Sequence, residues 1–389
     1  MSEATGDHAI KSQPESQAES QPESQLERQE RGQIMVNGRD ISSFGGERRQ
    51  ALAGFDADYS DFVDYIIGCT HKIWEEKAIG LIYTHYSHNC PIYMTDALIY
   101  GRDAVVEGTI KTLAAFPDVR LFGDEVIWSG NEKDGFHSSH RISWTGHNTG
   151  HGVYGPPTKR KIQRRGIAHC LVRENRIIEE WLVRDELALV RQLGLDEIEL
   201  ARTHAAREAA AGKPAYASTH GEVPRLNGQH HPPLEVAGDL SDPDVFSRKL
   251  FAEVWNARML NRIRAYYQPG CVAWVSTNRR LDGAGDYTHF VLQMLAAFPD
   301  GAMRVDHVCW IGSEAQGYKI ATRWTFQGTH EGPSAYGAPS GKRIALMGIT
   351  HQEVSISKDK AGTQARVERE WTVFDEFALL KQIHWPEAS

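Results

Sequence analysis

A histidine, a tryptophan and an aspartate occur together twice in this sequence, in segments that otherwise consist of strand-forming residues. The first segment, GIAHCLVRENRIIEEWLVRDELAL, contains His169, Trp181 and Asp185. The second contains His351 and Asp375 at the matching places. An imidazole titrates near neutral pH, and a carboxyl group in an apolar cavity has a raised pKa, so both can exchange protons with a substrate. The pattern therefore indicates general acid–base chemistry.

The alternation of side chains along a strand decides which of these groups could meet. Residues two apart share a face, so Trp181 and Asp185 are expected on one side of the last strand. His169 lies on the preceding strand, and we expect His169 and Asp185 to face one aromatic-walled cavity as the acid/base pair. The alternative for Asp185 and Asp375 is that each is the N-cap of a terminal helix. The alternative for His169 is a buried core histidine.

Other side chains are predicted to assist this pair or to line the cavity. Arg141 and Arg323 lie mid-strand, where each could orient a substrate oxygen or form a structural ion pair. His71 lies on a helix of the first copy, and its counterpart Ala252 is inert; if only one copy is active, this difference favours the first. The predicted catalytic residues are His169, Asp185, His71 and Arg141; the predicted substrate-binding residues are Trp144, Tyr154, Trp181 and Tyr93; a second site would consist of His351, Asp375 and Arg323.

The spacing of the many histidines does not indicate a metal site. His137 and His140 are close in sequence, but in a strand they point to opposite faces. No H-E-x-x-H motif and no cysteine ligand pattern occurs, and neither form of glycine-rich phosphate loop is found. We therefore predict neither a metal nor a cofactor.

The chain is organised as two copies of one unit. TLAAFPDVR at 112–120 matches MLAAFPDGA at 294–302, and YGPPTKRKI at 154–162 matches YGAPSGKRI at 336–344, both with an offset of 182 residues. Such internal similarity predicts two domains with the same fold. The predicted division is a disordered tail at 1–49, a first domain at 50–200, a linker at 201–239 and a second domain at 240–385.

Each copy has the pattern of helices followed by strands. Phe62, Ile66 and Ile73 recur at helical spacing near the start of the first copy. After AAFPD, segments such as VRLFGDEVIWSG and RIIEEWLVRDE are rich in β-branched and aromatic residues. Short connections favour hairpins, and hence an antiparallel sheet with helices on one side, which is an α+β fold. A strongly curved sheet of this kind can enclose a helix and leave a pocket.

The composition excludes several classes of protein. The net charge is −8, and residues 1–31 hold seven acidic and three basic residues, so the remainder offers no basic surface for nucleic acid. No apolar run approaches the roughly 18 residues that a membrane span needs. Five scattered cysteines without a C-x-x-C pair favour the cytoplasm. Repeated Ser, Gln, Glu and Pro at 12–33 are typical of a disordered segment.

The run TGHNTGHGVYGPPTKRKIQRRGIAHCLVRENRIIEEWLVRDELALVRQLG resembles the second half of the SnoaL-like polyketide cyclases, in the nuclear transport factor 2-like superfamily. The resemblance implies two tandem cone-shaped α+β barrels, with the aspartate of W-x-x-x-D, here Asp185 and Asp375, as the acid/base. Lys159 stands where the family usually has glycine. Superfamily members often pair through their sheets, which the two copies could do within one chain; a further homo-oligomer is left open.

Two fused copies also resemble the bacterial diarylpropane lyases of lignin-dimer catabolism. This resemblance implies a cofactor-independent lyase that cleaves a C–C bond, releases formaldehyde and leaves a stilbene. The alternatives are a polyketide cyclase, dehydratase or isomerase on the same scaffold, or a noncatalytic small-molecule-binding protein. In each case the expected partner is a hydrophobic or aromatic small molecule.

Overall fold

The computed structural model describes residues 45–216, 235–359 and 362–387. The predicted disordered tail lies outside the described residues up to position 44, and so do residues 217–234 of the predicted linker. Within the described part, the chain forms two units with the same order of helices and strands.

The first unit begins with a helix that Asp61 caps by accepting a hydrogen bond from the backbone N–H of Asp64. Short helical turns, a small hairpin, a second long helix and four long strands follow. Its main elements are α1 (Phe62–Trp74), α2 (Ile82–His85), β1 (Pro91–Tyr93), β2 (Leu98–Tyr100), α3 (Arg102–Ala115), β3 (Arg120–Asn131), β4 (Gly135–His147), β5 (Lys161–Arg173), β6 (Arg176–Arg184), α4 (Glu186–Leu193) and α5 (Glu197–Ala210).

The second unit repeats this order except that it has no counterpart of α5 among the described residues, and Asp242 caps its first helix as Asp61 does in the first unit. That helix continues into a wider π-helical turn at Phe251–Asn256. The elements are α6 (Pro243–Leu250), α7 (Ile263–Tyr266), β7 (Tyr267–Val275), β8 (Arg279–Asp282), α8 (Gly283–Ala297), β9 (Ala302–Ser313), β10 (Gly317–Thr329), β11 (Arg343–Asp359), β12 (Gly362–Phe374) and α9 (Glu376–Ile383).

Each unit has a six-stranded sheet, in the order β2-β1-β6-β5-β4-β3 and β8-β7-β12-β11-β10-β9. The α+β architecture of two tandem barrels agrees with the prediction, but the sheets are mixed rather than purely antiparallel. β1 pairs parallel to β6, with Tyr93 opposite Trp181, and β7 pairs parallel to β12. The first strand reaches its neighbour only after the rest of the unit has been built, so no hairpin constrains its direction.

The two sheets pack against each other within the chain, each through the face that does not carry the long helices. Their contact has an apolar centre made of Ile167, Trp181, Val183, Met347, Ile349 and Val373. The matching residues of both units therefore meet at one interface, as in an isologous dimer.

Helix α5 occupies the start of the predicted linker and packs on α9 of the second unit. Ala201, His204 and Ala205 on this helix are buried. No helix among the described residues combines the length and the apolar character that crossing a bilayer requires.

Candidate active site

The first domain encloses a cavity of about 550 Å³ between its helices and the inner face of its sheet. Apolar side chains from α1, α3 and the strands form most of the wall, among them Ile73, Val105, Ile142 and Leu182. Volumes of this size are typical of small-molecule sites. Helix α5 and the second domain's α9 also contribute to the lining, so α9 completes one end of the cavity from outside the first domain.

The equivalent space in the second domain is filled by side chains. The cavity that remains there is about 10 Å³, which is at the lower limit for a single water molecule. Large residues line it: Phe251, Trp255, Tyr287, Phe290, Met294, Trp324, Phe326 and Phe374.

Side-chain size at matching positions explains the difference between the two cones. The sequence offset and the strand pairing align small or medium residues of the first domain with aromatic residues of the second. The indole of Trp324 fits only because residue 348 is glycine, where a Cβ atom would come within 2.1 Å of the ring. The aligned pairs are Val105 with Tyr287, Gly108 with Phe290, and Ile142 with Trp324.

Glu180 is the buried carboxyl group on the cavity face of β6. Burial is the main cause that raises the pKa of Glu180, and it outweighs the hydrogen bond from Tyr86 and the charge of Arg184, which lower it. The Tyr86 hydroxyl donates to Oε2 of Glu180 over 3.0 Å. No other hydrogen bond to this carboxyl group is found within the described residues, so Glu180 can exchange a proton with a molecule in the cavity.

The matching carboxyl group in the second domain, Glu370, is held by several partners. Tyr267 donates to it over 2.6 Å, and Gln352 and Thr372 each donate over 2.8 Å. Tyr267 corresponds to Tyr86, so that bond is common to both domains. In the first domain, Cys170 and Leu182 stand where the second domain has Gln352 and Thr372. The first domain therefore keeps the acid and one donor but lacks the other two.

His140 is a second polar group of the cavity wall that the other domain lacks, because Thr322 takes its place. Burial, helped by the neighbouring charges of His351 and Arg141, lowers the pKa of His140 to about 3. Its Nε2 is buried without a hydrogen-bond partner in the described part of the chain. The imidazole is neutral near pH 7 and can donate or accept one hydrogen bond to a ligand.

Toward the end of β6, an ion-pair cluster forms another polar part of the wall. Arg164 Nη1 donates to Glu186 over 2.6 Å, and the Tyr154 hydroxyl donates to the same carboxylate over 2.8 Å. The Arg164 guanidinium lies 3.8 Å from the ring centre of Trp144. Trp144 and Tyr154, both predicted substrate-binding residues, thus do line the cavity.

Asp375 also lines the cavity, although it belongs to the second domain. It caps α9 by accepting from the backbone N–H of Ala378 over 2.9 Å. Burial, together with the charges of Asp96 and Glu186, raises the pKa of Asp375. Lys381 Nζ, which lies 2.5 Å from an oxygen of Asp96, places a cation beside these acids.

The structure corrects the expectation that His169 and Asp185 share the cavity. His169 is fully buried on the other face of β5, in the interface between the sheets. The cavity face of these strands consists of the alternate residues, Ala168, Cys170 and Glu180 among them. The position of His169 agrees with the alternative interpretation, in which it is a buried core histidine.

Trp181, Tyr93, Arg141 and Arg323 lie in the same interface and not in the cavity wall. Trp181 stacks on Tyr93 with ring centres 5.5 Å apart. Arg323 of the second domain lies 4.0 Å from the centre of the Trp181 ring, and Arg141 of the first lies 4.1 Å from that of Trp371. These reciprocal cation–π contacts hold the domains together.

His351 is likewise an interface residue and is fully buried. Its Nε2 lies 2.8 Å from the Ser139 hydroxyl of the first domain. Its Nδ1 lies 3.6 Å from Glu125, which is longer than a hydrogen bond. Lys319 Nζ, 2.6 Å from Glu125, is therefore the closer partner of that carboxylate.

Asp185 is the N-cap of α4, as the alternative interpretation had it, and it also joins the two domains. One oxygen accepts from the N–H of Ala188, and the other accepts from the N–H of Thr277 in the second domain over 2.8 Å. Burial raises the pKa of Asp185 to about 6. His71, on α1, lies outside the cavity wall and 3.6 Å from Glu76.

The sequence matches the family model of the SnoaL-like polyketide cyclases twice, over residues 66–193 and 247–383. The two matches together cover well over half of the chain. The chain belongs to the SnoaL-like polyketide cyclase family.

Solved structures similar to this SnoaL-like protein include three bacterial proteins. A protein of Jannaschia sp. CCS1, described as a SnoaL-like polyketide cyclase, is 19% identical; the match covers 41% of this chain and 99% of that one, with a TM-score of 0.32. TsrD from Streptomyces laurentii is 18% identical over 34% and 94%, with a TM-score of 0.31. IdmH from Streptomyces antibioticus, described as a polyketide cyclase, is 20% identical over 36% and 98%, with a TM-score of 0.29. No curated protein gives a match.

Sequence reasoning missed Glu180 and His140. The second SnoaL-like domain has a glutamate in place of Glu180 but with more hydrogen-bond donors around it, and it has a threonine in place of His140. Both faces of β6 are buried, so its alternation does not show which face lines the cone. A comparison of the two copies contained a usable signal. Tyr86 and Glu180 recur as Tyr267 and Glu370, whereas the residues around them change.

Proposed function

We propose that the first SnoaL-like domain is a cofactor-independent acid–base enzyme for a bulky, mainly hydrophobic substrate, with Glu180 as its acid/base. One contrast supports this assignment. Glu180 faces an open cavity with Tyr86 as its hydrogen-bond donor, while Glu370 is held by Tyr267, Gln352 and Thr372 in a filled cone. The second domain is proposed to serve as a structural partner.

A raised pKa suits Glu180 to this role, since a general acid is most effective when its pKa lies near the working pH. Burial in an apolar wall is the usual way in which proteins achieve this for a carboxyl group. Tyr86 keeps the carboxyl group in position, and the neutral His140 offers a hydrogen bond to a substrate oxygen.

The two polar regions of the wall also indicate an elongated substrate. Glu180 and Arg184 are on the same face of β6, four residues apart, which corresponds to roughly 13 Å along a strand. Apolar side chains such as Leu182 lie between them. A molecule with polar groups at both ends and rings in between would match this distribution.

The finer proposal is a lyase that acts on a lignin-derived 1,2-diarylpropane-1,3-diol. Glu180 would donate a proton to the benzylic hydroxyl, which leaves as water. A base, the carboxylate just formed, would then take the proton of the terminal hydroxyl. The bond between the terminal and central carbons would break, its electron pair would form the C=C bond of the stilbene, and formaldehyde would leave.

The second candidate is ring closure, dehydration or isomerisation, in which the same carboxyl group removes a proton from carbon and returns it elsewhere. The family membership favours this candidate, since the family is described as polyketide cyclases. In either case the partner is a hydrophobic small molecule.

Five cysteines, all present as free thiols, favour the cytoplasm as the location.

Replacing Glu180→Gln tests the central assignment. Turnover of a substrate should fall by roughly 10²–10⁴-fold, the usual contribution of one general acid–base group, while ligand affinity changes little. The matched control is Glu370→Gln, which makes the same change in the filled cone and should leave turnover intact. Unchanged turnover in Glu180→Gln would refute the role of this residue.

The product decides between the two reactions. A diarylpropane diol should give formaldehyde and a stilbene in equal amounts if the finer proposal is correct. A cyclic or isomerised product from a polyketide or steroid-like ring, without formaldehyde, would support the second candidate instead. Tight binding of such compounds without turnover of any would leave a noncatalytic binding protein.

A further inference from the structure

Three histidines from both domains meet at one end of the interface between the sheets. His137 is on β4, His169 on β5 and His307 on β9. One ring nitrogen of each lies within 4.8 Å of those of the other two. The ring centres of His137 and His307 are 4.2 Å apart, and those of His169 and His307 are 4.8 Å apart.

None of these imidazoles has the hydrogen bonds that a buried ring normally makes. His169 is fully buried, and both of its ring nitrogens lack a partner among the described residues. Nδ1 of His137 and Nδ1 of His307 are also buried without one. A buried polar atom without a partner typically costs on the order of 1–3 kcal/mol. Three adjacent rings of this kind therefore indicate a ligand that all three bind.

The opposite end of the interface shows how the same framework satisfies its side chains when they differ. The pseudo-symmetry places Glu125, Lys319 and His351 where the first end has His307, His137 and His169. There, Lys319 Nζ lies 2.6 Å from Glu125, and His351 lies 2.8 Å from the Ser139 hydroxyl. An anion and a cation pair at that end, although Nδ1 of His351 is left without a hydrogen-bond partner among the described residues. The three imidazoles of the first end contain no such ion pair.

We propose that His137, His169 and His307 bind a divalent transition metal ion of the zinc class between the two domains. Neutral imidazoles are preferred ligands of such ions, and three of them leave a fourth position for water or an anion. The inference goes beyond the proposed function, because these residues lie on the face of the sheet away from the cavity.

The surroundings of the three rings agree with this assignment. Burial is the first cause that lowers the pKa of His169 well below its usual value, the pKa of His137 to about 4 and that of His307 to about 3, so all three are neutral. A metal needs this form of the ring. His137 and His307 are only half-buried, which gives an ion a route to His169.

Two features restrict which ion would fit. Zinc–nitrogen bonds of about 2.0–2.1 Å imply nitrogen atoms roughly 3.4 Å apart, so the nitrogen atoms, which lie within 4.8 Å of one another, must draw together by up to about 1.4 Å. The nearby Arg323 guanidinium opposes any cation, although Asp306, 3.9 Å from it, offsets part of this charge. An ion with a strong preference for nitrogen is therefore favoured over Ca²⁺ or Mg²⁺.

The test uses the full chain without a purification tag, freed of metal by a chelator. We expect one equivalent of Co²⁺ to bind with the visible absorption of a four-coordinate site, and Zn²⁺ to displace it and raise the melting temperature. His307→Ala and His137→Ala should each abolish the absorption and the shift. His230→Ala/His231→Ala removes two adjacent histidines of the predicted linker, and this control should retain both signals.

The site would be ruled out if the wild type binds no Co²⁺, or if binding survives in both His307→Ala and His137→Ala. The three rings would then be packing residues. Circular dichroism must show that at least one of these variants is folded. If one of them is not, the other is the deciding variant, because both side chains are half-buried and neither is at the centre of the interface. His307→Gln, which keeps a polar side chain, provides a second reading.

Discussion

The Asp185→Asn variant should change how the stability of the protein depends on pH. Asp185 is buried between the domains, and its pKa is raised from 3.8 to about 6. A group whose pKa is higher in the folded state favours folding when it is protonated. Its contribution is therefore complete below about pH 4, the pKa of the unfolded chain, and is lost as the pH rises through 6.

The size of the effect follows from the shift of about two pKa units. At roughly 1.4 kcal/mol for each unit, ionised Asp185 lowers the free energy of unfolding by about 3 kcal/mol at pH 7 relative to pH 4. Asparagine does not ionise and so avoids this loss. It can still cap α4, but its amide group faces the N–H of Thr277, and the lost hydrogen bond costs about 1–2 kcal/mol at every pH.

Urea denaturation, followed by tryptophan fluorescence between pH 4 and pH 7.5, measures the difference in the free energy of unfolding between the wild type and Asp185→Asn. Asp185→Asn should be the less stable at pH 4 and should gain about 3 kcal/mol relative to the wild type by pH 7. Asp196→Asn, at the exposed N-cap of α5, is the control for changing a cap without removing a buried carboxyl group. A difference that stays constant across this range would refute the desolvation of Asp185.

Two further substitutions test the interpretation of the two cones and of the interface. Gly108→Phe introduces the side chain that the second domain has at Phe290. Because a Cβ atom at residue 108 meets open space, this variant should fold but should lose ligand binding, measured by calorimetry. Gly108→Ala should keep ligand binding. Normal binding in Gly108→Phe would contradict the assignment of the cavity. Glu125→Gln removes a buried carboxylate. Burial raises the pKa of Glu125, but His351, Arg141 and Lys319 outweigh burial and lower that pKa to about 2. The variant should be less stable by about 3–5 kcal/mol at pH 7 in urea denaturation, and this deficit should shrink as the pH falls from about 4.5 toward 2, since protonation removes the same charge from the wild type. A deficit that does not depend on pH would contradict the ion pair.

The fold could be predicted from the sequence because its signals are local and occur twice. The helical spacing of Phe62, Ile66 and Ile73 and the strand-forming runs after AAFPD correspond to α1 and to β3–β6. The parallel partner of β1 could not be predicted in the same way. Strand pairing over about 90 residues depends on how the whole sheet closes, and no local pattern records it.

The candidate site was harder to predict, because a strand buried on both sides does not reveal which face encloses the cavity. His169, Trp181 and Asp185 recur because both domains contribute the same residues to their shared interface. Repetition of these three residues thus indicates packing, whereas the repeated pair of Tyr86 and Glu180 lies at the cavity. The residues that change between the copies, such as Gly108 and His140, are the ones that distinguish the open cone from the filled one.

The covalent connection between the two sheets has a consequence for what the molecule can become. Two separate, identical subunits related by a twofold axis must carry every substitution at both ends of their contact. A single polypeptide has no such restriction. One rim of the contact can assemble Glu125, Lys319 and His351 while the other assembles only imidazoles, and one barrel can be filled with aromatic rings while its twin stays hollow.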